Sequence, residues 1–326
     1  MEPSPATLTH ENLADARARV GEHVPVSAAI RWPLLEEVTR TETWVKHENH
    51  NPTGAFKVRG GINFLGRLAE RGELPRGIIA ATRGNHGQSA AYAGALHELP
   101  VTIVVPHGNS PDKNAAMAGF GAEVLVHGRD FQEAREYAGE LARERGLLPL
   151  PAYHPWLMEG VATYAAELHE QVPDLDTVYV PVGMGTGICG NIAVRDLLNV
   201  TTEVVGVVAD RAPAYALSHA AGHPVDTDSA DTFIDGVACR TPDPAAVADM
   251  RGASRFVRVS EQQAADAMAV LYRTTHNLPE PAAAIATAAL LAEKERQAGR
   301  RVAVVMSGGN CDWSVLSTAM GTGPTG

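Results

Sequence analysis

"GIIAATRGNHGQSAAYAGALHEL" (residues 77–99) opens apolar, turns through a polar stretch bearing two glycines, and continues as an alanine-rich helical pattern. An opening run without polar alternation reads as a strand buried on both faces, and such strands belong to parallel sheets covered by helices. The unit recurs. "VTIVVP" (101–106) precedes "SPDKNAAMAGFG", "AEVLVHG" (122–128) precedes "DFQEAREYAGELARER", and "TVYVPV" (177–182) precedes "GICGNIAVRDLLN". "EVVGVVA" (203–209) and "RVAVVMS" (301–307) are further strand candidates. Strands alternating with helices predict an α/β fold of parallel-rich sheets flanked by helices.

In such sheets ligands bind beyond the carboxyl ends of the strands, where loops enter helices. Three polar, glycine-bearing loops lie at those ends: "TRGNHG" (82–87), "GMGTG" (183–187) and "SGGN" (307–310). They are expected to line one cleft. The second sits in "PVGMGTGICGN" (181–191), between a strand and a helix. Its glycines let the backbone approach an oxyanion, the first helical amides point toward it, and Thr186 adds a hydroxyl, so a phosphate site is expected. A tight turn needing glycine for packing alone is the plain alternative. A third reading is a dinucleotide site, because Gly185, Gly187 and Gly190 satisfy G-x-G-x-x-G and Asp210 ends the next strand 20 residues on. A nicotinamide-dependent oxidoreductase built on this loop leaves Lys57 without a role and displaces the fingerprint from the first βαβ unit. The loop alone does not separate these readings.

"NPTGAFKVRGG" (51–61) places Lys57 behind an aromatic residue, at the start of an amphipathic run. A lysine amine is nucleophilic only when neutral, and its ordinary pKa is about 10.4. Burial and nearby positive groups depress that value and permit Schiff-base chemistry. The first turn of a helix faces the positive end of the macrodipole, a poor place for a resting ammonium. Alone, Lys57 reads as a surface charge. Beside a phosphate loop it reads as the amine that holds a phosphorylated aldehyde cofactor, pyridoxal phosphate.

Four stretches, "NPTGAFKVRGG", "TRGNHGQS", "GMGTGICG" and "SGGNCD", stand in an order and at spacings that resemble the fold type II (tryptophan synthase β-like) pyridoxal-phosphate enzymes. The resemblance is strongest to the serine/threonine dehydratase branch, which includes serine racemase, and runs from about Glu48 to Asp312. It implies that Lys57 carries pyridoxal 5′-phosphate, with Phe56 packed beside it. It implies that Asn85 hydrogen-bonds the phenolic oxygen. The backbone of Thr82, Arg83, Gly84, Asn85 and His86 would clamp the substrate carboxylate, and Gly183, Met184, Gly185, Thr186 and Gly187 would cradle the phosphate. Ser307 would face the pyridine nitrogen, a hydroxyl too weakly acidic to protonate it. The implied reaction is α,β-elimination of water from a β-hydroxy amino acid, L-threonine or L-serine. Lys57 would remove the α-proton, and the products would be a 2-oxo acid and ammonia. A two-domain organisation is implied, with residues 1–72 and 155–326 forming a large cofactor-binding domain and 73–154 a small mobile one. The prolines of "LLPLPAYHP" (147–155) suit a boundary there. A homodimer is also implied.

The sequence departs from that pattern in places. Position 55 is Ala where Ser often stands, with little consequence expected. Position 83 is Arg where racemase-like members use Ser as a second acid/base; with a pKa above about 12, arginine cannot shuttle that proton, so racemisation is not expected. Arg83 either faces solvent or an internal acid, or binds a second carboxylate, as in threo-3-hydroxyaspartate. Some relatives bind a divalent cation after a strand, but the aligned places here hold Val208, Ala212 and Ala214, so no metal is expected. "HENH" (47–50) lacks metal-site spacing. His86 reads as part of the carboxylate loop rather than a base. Glu280 in "LPEPAAA" is either an acid near the ring or a helix-start charge, and Asp235 and Gly236 in "FIDGVAC" are weaker candidates.

Composition sets the frame. The 326 residues allow two domains or one large one, and 45% apolar with 20% charged residues is ordinary for a globular protein. A net charge of −11 argues against nucleic-acid binding. "EKERQAGRR" (293–301) reads as the solvated end of a helix. Three scattered cysteines suggest thiols in a reducing compartment. The first 20 residues carry no apolar leader core and no run spans a bilayer, so a cytoplasmic enzyme acting on a small amino acid is expected. The chain ends soon after "SGGNCDWSVLSTAM", leaving no place for the regulatory domain of biosynthetic threonine dehydratases, so feedback by isoleucine is not expected.

Overall fold

The computed structural model describes residues 7–322. Within them ten strands form two sheets. In chain order these are β1 (Ala29–Arg31), β2 (Glu42–His47), β3 (Ile78–Ala81), β4 (Val101–Val105), β5 (Glu123–Val126), β6 (Leu148–Pro149), β7 (Thr177–Pro181), β8 (Glu203–Ala209), β9 (Arg255–Val259) and β10 (Arg301–Met306). Six run in the order β1-β2-β10-β7-β8-β9, and four in the order β5-β4-β3-β6. Every pair is parallel except β1 with β2. All five residues of β4 and of β7 are buried, as expected of strands covered on both faces.

The expected α/β architecture with helix-flanked parallel sheets is present. All six predicted strands form; β1, β2, β6 and β9 were not anticipated. β1 and β6 are three and two residues long. β9, "RFVRV", carries charge at an edge and lacks the all-apolar signature.

Helices fill both faces. Pro281–Ala292 is buried along nearly its whole length and lies between the six-stranded sheet and helix Glu261–Thr275. A helix apolar all round belongs in the interior, and its alanines permit close approach. The four-stranded sheet is covered by Asn85–Leu96, Pro111–Gly119 and Phe131–Arg145. Ser110 and Asp130 cap two of these by accepting from Lys113 N and Glu133 N.

Helix Lys57–Glu70 passes between helices of the two sheets, Asn85–Leu96 and Pro155–Gln171. Glycine makes this possible. A Cβ on Gly160 would lie 2.4 Å from the carbonyl oxygen of Arg59, and one on Gly61 would lie 2.4 Å from Ser89 Oγ. Two residues beyond Lys57, the guanidinium of Arg59 is fully buried between two carboxylates. Its Nε lies 2.8 Å from Glu48 Oε2 and its Nη1 2.6 Å from Glu167 Oε1. Lys46 Nζ completes the set, 2.8 Å from Glu167 Oε2. Two cations and two anions balance, so burial leaves no uncompensated charge.

The segment 293–301 departs in part from expectation. The helix stops at Ala292 and the chain turns. Glu293 accepts from Arg255 Nε at 3.0 Å and from the Tyr179 hydroxyl at 2.6 Å, while the buried Gln297 donates to Tyr179 at 2.8 Å. Glu293 and Gln297 thus turn inward to the sheet, while Glu295, Arg296, Ala298 and Gly299 are exposed, so the segment is largely solvated as expected but lies beyond the helix rather than in it. Among the described residues the cysteines are free, and no helix is long and apolar enough to cross a membrane.

Candidate active site

The three glycine-bearing loops follow β3, β7 and β10, and backbone pairing joins the last of them to the segment before Lys57. Phe56 N donates to Ser307 O at 3.0 Å, Gly309 N donates to Gly54 O at 2.9 Å, and Ala55 forms an antiparallel bridge with Gly308. Asn310 Nδ2 donates to Thr53 O and to Asn85 Oδ1, both at 2.8 Å. Asn85 Nδ2 in turn donates to both oxygens of Glu280, at 2.8 and 2.9 Å. The stretches 51–57, 82–86 and 307–310 therefore meet at Glu280.

The fourth stretch closes the ring. Gly183 packs so tightly on residue 236 that a Cβ there would lie 2.3 Å from the Gly236 carbonyl oxygen. Gly236 in turn abuts Ala282 and Glu280. Gly185 has φ +97°, in the left-handed region, and precedes a helix whose first amides receive no side-chain cap. Met184 O accepts from the Tyr215 hydroxyl at 3.2 Å, which pins the loop from outside. Tyr164 supports it from beneath: its hydroxyl lies 3.4 Å from Gly187 O, and its ring meets that of Phe56 edge-on.

Several polar groups here have no partner among the described residues. Lys57 Nζ makes no hydrogen bond or ion pair and lies 4.8 Å from the centre of the Phe56 ring. The hydroxyls of Thr186 and Ser307, both in buried residues, likewise make no hydrogen bond. His86 Nε2 is buried without a partner, and the helix starting at Asn85 lacks a side-chain cap. An amine, two hydroxyls, an imidazole nitrogen and two uncapped helix starts border one region. They suit a ligand that carries a carbonyl and a multiply charged anion.

Burial pushes the Lys57 amine down to about 8, opposed by the Glu280 carboxylate. Burial pushes the Glu280 carboxyl up to about 7, with Asp235 adding to the effect and the Asn85 hydrogen bond opposing it. Burial holds His86 down at about 4, with Lys57 contributing, so its imidazole is neutral at pH 7. A lysine at about 8 has roughly a tenth of its amine neutral at pH 7, against far less than a hundredth at its ordinary value.

A second lysine, Lys113, was not anticipated from sequence. It ion-pairs with Asp235, while Ser110 donates to Asp312. Burial lowers the Lys113 pKa, but Asp235, with Glu280 and Asp312 adding to it, more than offsets this and the net shift is upward. Lys113 is thus held as an ammonium while Lys57 is not. The available signal was that Lys113, like Lys57, sits in the first turn of a helix after a strand.

Arg83 is exposed and lines an open cleft with Lys113, Asp235 and Asp312. Glu280 stands at the helix N-cap position, but its side chain does not cap; it turns inward to Asn85. Asp210, the acid required by the dinucleotide reading, is exposed and pairs with Arg258 at 3.1 Å. His47 stacks on His50 and accepts from Trp32 Nε1 at 3.1 Å. Among the described residues no group of three or more His, Cys, Asp or Glu side chains gathers as a metal site.

Comparison with known proteins gives a consistent result. The family model described as "Pyridoxal-phosphate dependent enzyme" matches residues 22–308. An L-threonine ammonia-lyase of Thermotoga maritima is 32% identical over 319 residues, covering 97% of this chain and 79% of that protein. An L-threo-3-hydroxyaspartate ammonia-lyase of Saccharomyces cerevisiae is 30% identical over 322 residues, covering 97% and 98%. The solved structure of the processed form of threonine deaminase isoform 2 from Solanum lycopersicum superposes with a TM-score of 0.89 at 28% identity, covering 98% of this chain and 96% of that one. The family the four motifs resemble is the one found, and with it pyridoxal phosphate as cofactor. The nicotinamide reading of the 185–190 loop is set aside by the same result.

Proposed function

This chain belongs to the pyridoxal-phosphate dependent enzyme family, and from that premise we propose that it is an ammonia-lyase acting on a β-hydroxy amino acid such as L-threonine or L-serine. The Cα proton and the Cβ hydroxyl leave together as water, and the resulting 2-amino-2-enoic acid, once released, takes up water to give a 2-oxo acid and ammonia. The observation that carries the reading is Lys57, an unpaired amine held near pKa 8 where the four motif stretches meet. The ammonia-lyase names of relatives similar along most of this chain support it.

The residues fit the cofactor. Its phosphate suits the 183–187 loop, where a Cβ on Gly183 would collide with Gly236, the helix start is uncapped and the Thr186 hydroxyl is free. Lys57 would hold the cofactor, Phe56 would pack beside it, and Ser307 would face its ring nitrogen. When bound, the cofactor supplies an aldehyde that joins amines and a ring that accepts electrons from Cα. The Lys57 amine takes the proton from the substrate Cα at its Nζ. The amides of Arg83, Asn85 and His86 orient the substrate carboxylate; of the others in the 82–86 turn, Thr82 N donates to Val104 O at 3.1 Å and Gly84 N to the Thr82 hydroxyl at 3.2 Å, so these two do not join the expected clamp. Asn85 is fixed by Glu280 and Asn310, which holds its amide in place before any ligand arrives. Asp235 and Gly236 border the same space through Lys113 and Gly183.

Residues 73–154, which include the four-stranded sheet, form a mobile unit that closes over the substrate, with 1–72 and 155–326 as its base. Cytoplasmic residence and a homodimeric state belong to the same reading; they rest on the free thiols and on the family resemblance. The test is a panel of β-hydroxy amino acids of both stereochemistries, assayed for ammonia and 2-oxo acid. Stoichiometric release of both, absent in Lys57→Ala, is expected. Cofactor uptake without release of either product from any member refutes lyase activity.

A further inference from the structure

We propose that Arg83 selects substrates with a second carboxylate on Cβ, so that the preferred substrate class is a β-hydroxy amino diacid. This rests on the lyase reading for what is done to the ligand, but its recognition element stands on the cleft itself. The fixed charges lining the cleft are Arg83, Lys113, Asp235 and Asp312. Lys113 and Asp235 neutralise each other, and Asp312 accepts from Ser110. The Arg83 guanidinium makes no hydrogen bond or ion pair with any described residue. Asp312 keeps its charge, so the four side chains sum to zero, but Arg83 is the one cation among them with no anion bonded to it.

Its backbone is fixed while its side chain is not. Asn109 Nδ2 donates to Arg83 O at 3.3 Å, and the Lys113 stem packs on Gly84, 3.0 Å from where a Cβ would stand. Arg83 lies two residues before the uncapped start of helix Asn85–Leu96. A ligand whose α-carboxylate rests on those amides presents its β-substituent to the cleft that Arg83 lines. A planar guanidinium matches a carboxylate with two parallel hydrogen bonds, which a methyl group or hydrogen on Cβ cannot offer.

Binding to the holoenzyme separates this from catalysis. L-malate and 2-hydroxybutyrate share the α-carboxylate and differ in the second one, and isothermal calorimetry reads both. Wild type is expected to bind L-malate at least about tenfold more tightly, Arg83→Gln to lose that preference, and Arg83→Lys to keep only part of it. Equal affinities in wild type, or an unchanged preference in Arg83→Gln, overturn the inference. In turnover, the ratio of kcat/KM for threo-3-hydroxyaspartate to that for L-threonine should fall about tenfold or more in Arg83→Gln. Equal losses on both substrates would assign Arg83 to the α-carboxylate and also overturn it. Should wild type release ammonia from no β-hydroxy amino acid yet keep the malate preference, the lyase reading fails and Arg83 stands.

Discussion

Two lysines lie within electrostatic reach of Glu280, and their neighbours separate their chemistry. Lys113 has an anion at contact and stays protonated; Lys57 has only a more distant one, and burial wins. Schiff-base formation needs the free amine, so pyridoxal-phosphate uptake should quicken as pH rises and level off near 8 rather than near 10.5. The Glu280 carboxylate raises the Lys57 pKa, so Glu280→Gln should move the plateau to lower pH. Stopped-flow absorbance across pH measures this; a plateau that stays put, or moves up, contradicts the assignment. At this scale the sequence was informative about Lys57, because a motif surrounds it. It was silent about Lys113, whose partner Asp235 lies 122 positions away, and it left Glu280 undecided between two roles. Only the fold shows that Glu280 faces Asn85 rather than its own helix start.

Glycines separate function from packing at the level of elements. Gly183 and Gly160 both lie where a Cβ would strike a carbonyl oxygen, at 2.3 and 2.4 Å. Gly183 belongs to the 183–187 loop, whereas Gly160 sits at the crossing of helices Lys57–Glu70 and Pro155–Gln171. Gly183→Ala should displace the loop from residue 236 and weaken cofactor affinity about tenfold or more while leaving the fold in place. Gly160→Ala should force the helices apart and cost about 1–3 kcal/mol of stability. Equilibrium dialysis and thermal melting distinguish them, and the reverse pattern would show the loop to be structural only. The strand–loop–helix units were legible because strands buried on both faces are apolar throughout. The "GG" of residues 60–61 was not, since its reason is a helix crossing made by residues far along the chain.

Across the whole molecule, the cleft is spanned by a few polar contacts between the two sheet units. Lys113 meets Asp235, Ser110 meets Asp312, and Asn85 meets both Glu280 and Asn310. Lys113→Met removes one such contact and leaves the cores untouched. Hydrogen exchange in helix Pro111–Gly119 should quicken in this variant, while exchange in the buried helix Pro281–Ala292 stays as in wild type. Uniform acceleration of both would mean that the pair supports global stability rather than closure. These contacts join residues far apart in sequence, so no local pattern announces them.

The central claim is that Lys57 carries the cofactor, and the most direct measurement is to load the protein with pyridoxal phosphate, reduce it with borohydride and map the phosphopyridoxyl group by peptide mass spectrometry. The account predicts a single label on Lys57 and none on Lys113. A label on Lys113 or on any other lysine, or no label at all, would contradict it.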